Sequence, residues 1–521
     1  MKTEMKEWPR RPLSHFRQSL LDPDEFTLTF ELVPSRGGRG WKHDRILEMA
    51  RMMADDGRIR AVSITDNAGG HPALSPEVFG LDILEMGIDV INHFSCKDKN
   101  RNQMESLLFG WDRAGLTSLL VISGDYPKRG YCGHPKPVFD LDSVQVVEML
   151  NRMNQGNFED REISATSFFK GVAISPFKYT EAEQMMQYFK LHRKVAAGAD
   201  FAITQVGFDV RKFQELLLFM EQKSLNIPVL GNVFIPNLPV LEMMRRGKVP
   251  GCVIPESLYQ QMQKEAKADD KGKKARLVRA AKLLSILKSL GFGGAHLGGT
   301  GLSFGDLDFV LNQSLEFDDC RQYLIEEMSC SSKDVFFYFS QEKATGLNRP
   351  EPAGMRSQKN FSFRYSLALA VHNLAFDPQG FFFSAARTTC LALDKTCLRH
   401  VLDSFELITK KILFQCRNCG DCTLADLAFI CPQSGCPKFL LNGPCGGSRD
   451  GWCEVYPKER RCLYVRIYER LDQEQQEQFK KRFVSPRNWS LNEKSSWLHF
   501  YGGLDHCSRG CQVPESKEDG M

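Results

Sequence analysis

No stretch of this chain approaches the roughly 20 uncharged apolar residues needed to cross a bilayer, and the segment Met1–Pro9 lacks the apolar run of a secretory signal. The expectation is a cytoplasmic protein with no membrane span. Charge of one sign is also missing. Lys and Arg number 68 against 64 Asp and Glu, mixed along the chain to a net +4, so no broad cationic face for nucleic acid is implied. Internal repeats and long low-complexity tracts are absent. No G-x-G-x-x-G follows the first strand-like run, which argues against a doubly wound dinucleotide fold.

What is present is enough material for two domains: 521 residues, 42% of them hydrophobic and 25% charged, exceed one ordinary core. Eight strand-like runs, 26–34, 61–66, 90–95, 118–123, 169–175, 201–206, 228–235 and 292–297, alternate with helical patterns. Phe213, Leu216, Leu217 and Met220, for example, share one helical face. Eight β-then-α units in about 300 residues predict a closed (β/α)8 barrel of the α/β class. The barrel is placed at 1–319. The Pro/Gly-bearing stretch 320–360 reads as a linker or extended crossing, 361–485 as an α-rich, cysteine-rich metal-binding domain, and 486–521 as a polar tail.

In such a barrel, chemistry gathers at the C-terminal ends of the strands. Polar residues stand at those ends in five of the runs: Glu31, Thr65, His93, then Ser123, Gly124 and Asp125, and finally Gln205. Glu31 lies between Phe30 and Leu32-Val33. If it points inward, desolvation is expected to raise its pKa and keep it protonated as a general acid.

Seventeen cysteines would suggest disulfides in a small secreted protein, but eight of them crowd between Cys416 and Cys462. Cys416, Cys419 and Cys422 are spaced by two residues, followed by Cys431, Cys436, Cys445, Cys453 and Cys462. The close C-x2-C-x2-C run and the Cys431-Pro432 pair favour two [4Fe-4S] clusters, with zinc as the alternative for one or both groups.

Phe30-Glu31-x-x-Pro34, Val62-Ser63-Ile64-Thr65, His93-Phe94-Ser95-Cys96, Gly124-Asp125-x-Pro127 and the block Leu191–Asp200 running into Ala202-Ile203-Thr204-Gln205 carry a resemblance to the methylenetetrahydrofolate reductase family. The cysteine-rich segment resembles the C-terminal module found with some of these reductases. The resemblance implies reduction of 5,10-methylenetetrahydrofolate to 5-methyltetrahydrofolate, a step of tetrahydrofolate interconversion that serves methionine biosynthesis in some settings. It implies Glu31 as the acid, Asp125 beside flavin and pterin, and Gln205 as a substrate amide. Thr65, His93, Ser123, Gly124, Arg193 and Lys194 then fall at flavin positions. FAD is the implied flavin, with FMN as the alternative, and the donor is NAD(P)H or a low-potential carrier protein. Oligomeric state stays open. Two other readings are a folate-to-corrinoid methyltransferase with a redox activation module, and a non-catalytic assembly protein.

Overall fold

The computed structural model describes residues 14–158, 161–317, 321–329, 335–354 and 362–508. Eight parallel strands close into a barrel: β1 Thr27–Leu32, β2 Ala61–Ile64, β3 Asp89–Ser95, β4 Ser118–Ile122, β5 Phe169–Ile174, β6 Phe201–Thr204, β7 Val229–Ile235 and β8 Gly294–Gly299, with β8 closing onto β1. Each expected strand is present, with β8 shifted about two residues toward the C-terminus. Strand alternation sorts the side chains. Phe30, Val62, Val90, Val121 and Val172 join the outer core under the helices, while Ile91, Leu120, Phe169, Phe201 and Leu230 fill the barrel interior. Phe16, from the helix His15–Leu21 that precedes β1, packs into this interior cluster and is fully buried. Two residues further along, the inward row turns polar at His93 on β3 and Asn232 on β7, while Ile122, Gly171 and Ile203 keep it apolar on β4, β5 and β6.

The composition of residues 320–360 predicts a linker or extended crossing. The described part instead belongs to the barrel. Leu324 and Ile325 are buried within the main core, and the two-stranded piece Phe339–Gln341 with Asn348–Pro352 lies against the helix Val210–Gln222. One buried ion pair holds this extension. Lys212 Nζ lies 2.9 Å from Glu215 Oε1, and the two side chains are 2% and 0% exposed. Glu215 also accepts from Tyr188 Oη at 3.0 Å and from the Tyr338 amide at 2.6 Å, while Lys212 donates to the Phe336 carbonyl. Glu215→Ala would leave the ammonium buried without its counter-charge, an effect of about 3–5 kcal/mol. Urea denaturation should register the loss as a lower midpoint at an unchanged slope.

The C-terminal module is built from short helices, including Phe363–Val371, Arg399–Phe414, Leu463–Tyr468 and Gln473–Lys481, around long cysteine-bearing loops. The tail expected from residue 486 is folded in as far as 508, because its polar side chains find buried partners. His506 bridges Asp421 and Asp426 at 2.8 and 2.9 Å, His499 Nδ1 reaches the Gly420 carbonyl, and Trp489 Nε1 donates to Asp140. Residues 509–521 lie outside the described residues. Among the described residues no helix is long and apolar enough to cross a membrane.

Candidate active site and cysteine groups

The register puts Thr29 beside His296 and Glu31 beside Ser63. These four residues meet at the mouth. Thr29 Oγ1 lies 2.8 Å from His296 Nδ1, Ser63 Oγ lies 3.3 Å from His296 Nε2, and Glu31 Oε2 lies 4.0 Å from that same Nε2. Gly298 makes the room, since a Cβ there would stand 3.3 Å from Glu31 Cβ. The Glu31 carboxyl is held below its usual range: burial pushes it up, but the hydrogen bond and charge of His296, with the charge of His93, outweigh burial. The expectation of a proton-holding Glu31 is therefore corrected. A histidine on β8 offsets the desolvation, and the carboxylate is the form present at neutral pH.

His93 is 6% exposed, its Nε2 has no hydrogen-bond partner, and burial pushes its pKa down to about 4. A histidine that is neutral when folded but titrates near 6.5 when unfolded binds fewer protons in the native state. Stability thus falls as pH drops from about 6.5 toward 4, by about 3 kcal/mol for this residue. His93→Gln should flatten that part of the stability profile, measured by denaturation at stepped pH.

Thr65 and Ser123 are buried at the ends of β2 and β4, and Asp125 accepts the Gly69 amide at 2.8 Å. Gly124 turns the chain toward Asp125 at φ 80°, where a Cβ would meet Ser95 Oγ at 2.1 Å, so only glycine fits. Gln205 stands at the end of β6, its Oε1 accepting the Val206 amide at 2.8 Å. The structure thus brings Glu31, Thr65, His93, Ser123, Gly124, Asp125 and Gln205 to one rim. It places the basic pair differently. Arg193 donates to the carbonyls of Phe479 and Lys480 and stacks over the Phe479 ring, while Lys194 Nζ donates to the Ala173 carbonyl at 2.6 Å.

Sequence reasoning missed His296, although a histidine inside Gly293-Gly294-Ala295-His296-Leu297-Gly298-Gly299 was a usable signal. It also missed three lysines. Lys178 Nζ donates to the carbonyls of Gly446 and Ser448, and Lys190 Nζ to those of Gly443 and Pro444 and to Ser123 Oγ. From the module, Lys438 Nζ returns to the Gly124 carbonyl at 2.7 Å, pairs with Glu454, and lies within reach of the charges of Asp125 and Cys445. The loop around Cys445 is thereby seated on the barrel rim, next to Ser123 and Gly124.

The eight clustered cysteines carry no disulfide and fall into two groups in chain order. Cys416 and Cys419 interact electrostatically with each other and with Cys422 and Cys431. Cys436, Cys445, Cys453 and Cys462 line one small cavity together. Burial pushes the Cys419 thiol up to about 11 and the Cys445 thiol up to about 12. Backbone amides point at the sulfurs: Asn418 at Cys416, Lys438 and Leu440 at Cys436, Gly447 at Cys445, and Tyr464 and Val465 at Cys462. Among the described residues, the one set of three metal-type donor atoms within 4.8 Å of one another is Asp505, His506 and Cys507.

The sequence model of the family described as Methylenetetrahydrofolate reductase matches residues 16–297, more than half of the chain, and a second, described as Methylene-tetrahydrofolate reductase C terminal, matches 398–490. The chain belongs to the methylenetetrahydrofolate reductase family. Methylenetetrahydrofolate reductase 1 of Schizosaccharomyces pombe is 25% identical over 268 residues, covering 49% of this chain and 41% of that protein. The 5,10-methylenetetrahydrofolate reductase of Pectobacterium carotovorum is 28% identical over 128 residues, covering 24% of this chain and 37% of its own length. The chain thus spans about two-fifths of the length of these curated relatives. A solved structure from Clostridium thermocellum, described as an uncharacterized protein that binds two copies of 5-methyl-5,6,7,8-tetrahydrofolic acid, aligns with a TM-score of 0.41 and 12% identity over 58% of this chain and 99% of that one. In the family's terms, the Glu31–His296 pair lies in the barrel portion and both cysteine groups lie in the C-terminal portion.

Proposed function

We propose that this chain reduces 5,10-methylenetetrahydrofolate to 5-methyltetrahydrofolate with a flavin at the barrel mouth, and that electrons reach the flavin through two cysteine-bound iron–sulfur clusters. The observation that carries the reading is the seating of the Cys445 loop on the rim that holds Glu31, His93 and Asp125. The buried, unpartnered His93 Nε2, Ser175 Oγ and Asn232 Oδ1 suit a ring with both donors and acceptors on its edge. Bound there, a flavin would supply hydride to the folate carbon. Thr65, His93, Ser123 and Gly124 are the residues to hold it, and Gln205 the residue to hold the folate. With Arg193 and Lys194 engaged by backbone carbonyls, the single phosphate of FMN is the better fit than the diphosphate of FAD.

Glu31 supplies the proton that opens the folate ring. Substrate covering the mouth removes its remaining water contact, and desolvation then dominates and favours the protonated form. Asp125 favours the cationic form of the opened ring. In the module, sulfurs supplied with backbone amide donors suit a polynuclear iron–sulfur core, with Cys416, Cys419, Cys422 and Cys431 holding one cluster and the remaining four cysteines the other.

Anaerobic purification followed by flavin identification and iron, sulfide and zinc analysis tests the reading. One flavin and about eight irons per chain are expected, the content of two four-iron clusters. Absence of flavin would overturn the reductase reading, and zinc without iron would remove electron entry through the module. The methyltransferase and assembly readings both require a flavin-free protein.

A further inference from the structure

A cavity of about 410 Å3 opens on the module, bordered by residues of the helices Phe363–Val371, Arg399–Phe414 and Leu463–Tyr468. It is separate from the barrel mouth. Arg364, Arg460, Arg466 and Arg470 line it, and no carboxylate does. Of the nearby acids, Glu469 pairs with Arg461 and also acts on the charge of Arg466, while Asp426 pairs with Arg482 and His506. Arg460 and Arg470 are steadied by the carbonyls of Ser434 and Ala428. The guanidiniums of Arg364 and Arg466 have no hydrogen bond or ion pair among the described residues.

The guanidiniums also crowd one another. Burial lowers the Arg466 pKa, the charge of Glu469 opposes that shift and the charge of Arg460 adds to it, while burial and Arg466 lower that of Arg470. Four cations facing one concavity, two of them half-buried, constitute a standing electrostatic cost that an anion would relieve. Arginine forks suit phosphate oxygens bidentately.

The cavity is not polar throughout. Tyr365 and Phe429 line it with ring centroids 6.1 Å apart, and Arg470 lies 5.9 Å from the Tyr365 ring. Rings beside cations are the pairing that receives a phosphate joined to a flat heterocycle. The volume falls in the range of about 300–1,000 Å3 usual for small ligands, near its lower end. A concavity of this size, walled on three sides by helices, favours a small molecule over the edge of an acidic protein.

We propose that this cavity is a nucleotide site, with the phosphates on Arg364 and Arg466 and the base against Tyr365 and Phe429. Cys431 of the first cysteine group lies in the same wall, so the bound nucleotide rests against that group. The site does not depend on the reductase reading and can be tested without any turnover.

The test is calorimetric titration of the full-length, metal-loaded and flavin-loaded protein with ADP, with inorganic pyrophosphate and with a short polyglutamate peptide. One ADP per chain is expected to bind at micromolar Kd, with pyrophosphate at least tenfold weaker. Arg364→Gln combined with Arg466→Gln should weaken ADP at least tenfold while leaving the iron content and circular dichroism unchanged. Phe429→Leu should weaken ADP and leave pyrophosphate unaltered. Should the double variant fail to fold, Arg364→Gln alone serves, because Arg364 is exposed, and it should still weaken ADP at least threefold. No ADP binding, equal affinity for ADP and pyrophosphate, undiminished binding by the arginine variants, or capture of polyglutamate in place of ADP would each overturn the proposal.

Discussion

Glu31→Gln is expected to slow oxidation of the reduced flavin by methylenetetrahydrofolate about 10²- to 10⁴-fold, the range for loss of a positioned general acid. Flavin content and flavin reduction should be unchanged. The amide keeps the shape of the carboxyl, so Gly298 still accommodates it and His296 can still approach at about its present 4.0 Å. What it loses is the ability to hold a proton and deliver it to the leaving nitrogen. Anaerobic single-turnover spectroscopy separates the two half-reactions, and the deficit should appear only in the folate half. Undiminished folate reduction would remove Glu31 from the chemistry and, with it, the assignment of the mouth. The pH profile gives an independent check. Because Glu31 is ionised when uncovered, the rate should fall as the pH rises and the proton supply fails, and the Glu31→Gln substitution should abolish that dependence.

The second large effect concerns the module. Under the proposed partition of one cluster per group of four cysteines, Cys445→Ser should reduce iron from about eight to about four per chain. In the bacterial ferredoxin run the cysteine before proline ligates the other cluster. Here Cys431, which precedes Pro432, stays with Cys416, Cys419 and Cys422, so the two groups are not interleaved. Cys419→Ser should accordingly remove the other half of the iron and leave the Cys445 group intact. Turnover with the physiological donor should cease in either variant. Flavin reduced chemically should still pass its hydride to folate, which distinguishes a severed electron path from a damaged barrel. Loss of all iron in either single variant would contradict the four-plus-four partition.

The eight strands were legible because each is a short local run: 61–66 or 118–123 can be read without knowing any partner. The residues at the strand ends were legible for the same reason. His296 was visible but mute, since its importance lies in Thr29, Ser63 and Glu31, which are contributed by strands more than 200 residues earlier in the chain. The ionisation of Glu31 was misread because its sequence neighbours are apolar while its spatial neighbour is a histidine. The partition of the cysteines and the attachment of Arg193 to Phe479 and Lys480 also depend on contacts that no local spacing encodes. The segment 486–508 looked like a tail because its side chains are polar, yet those are the groups that bind Asp421, Gly420 and Asp140.

Lys178, Lys190 and Lys438 grip carbonyl oxygens, which every residue type possesses. Recognition of this kind is indifferent to the side chains of the loop it holds. Over evolutionary time Ser448 could therefore be exchanged at less cost than the lysines, provided that Cys445 and the backbone path through Gly443, Gly446 and Gly447 persist, since Gly446 turns at φ 89° and a Cβ at Gly447 would collide with Glu454. The lysines have no such latitude. Replacing Lys190 would leave the carbonyls of Gly443 and Pro444 facing a buried surface without a donor, so drift in this joint should be strict in the clasping lysines and at the glycines of the loop, and permissive only in the remaining side chains of the loop.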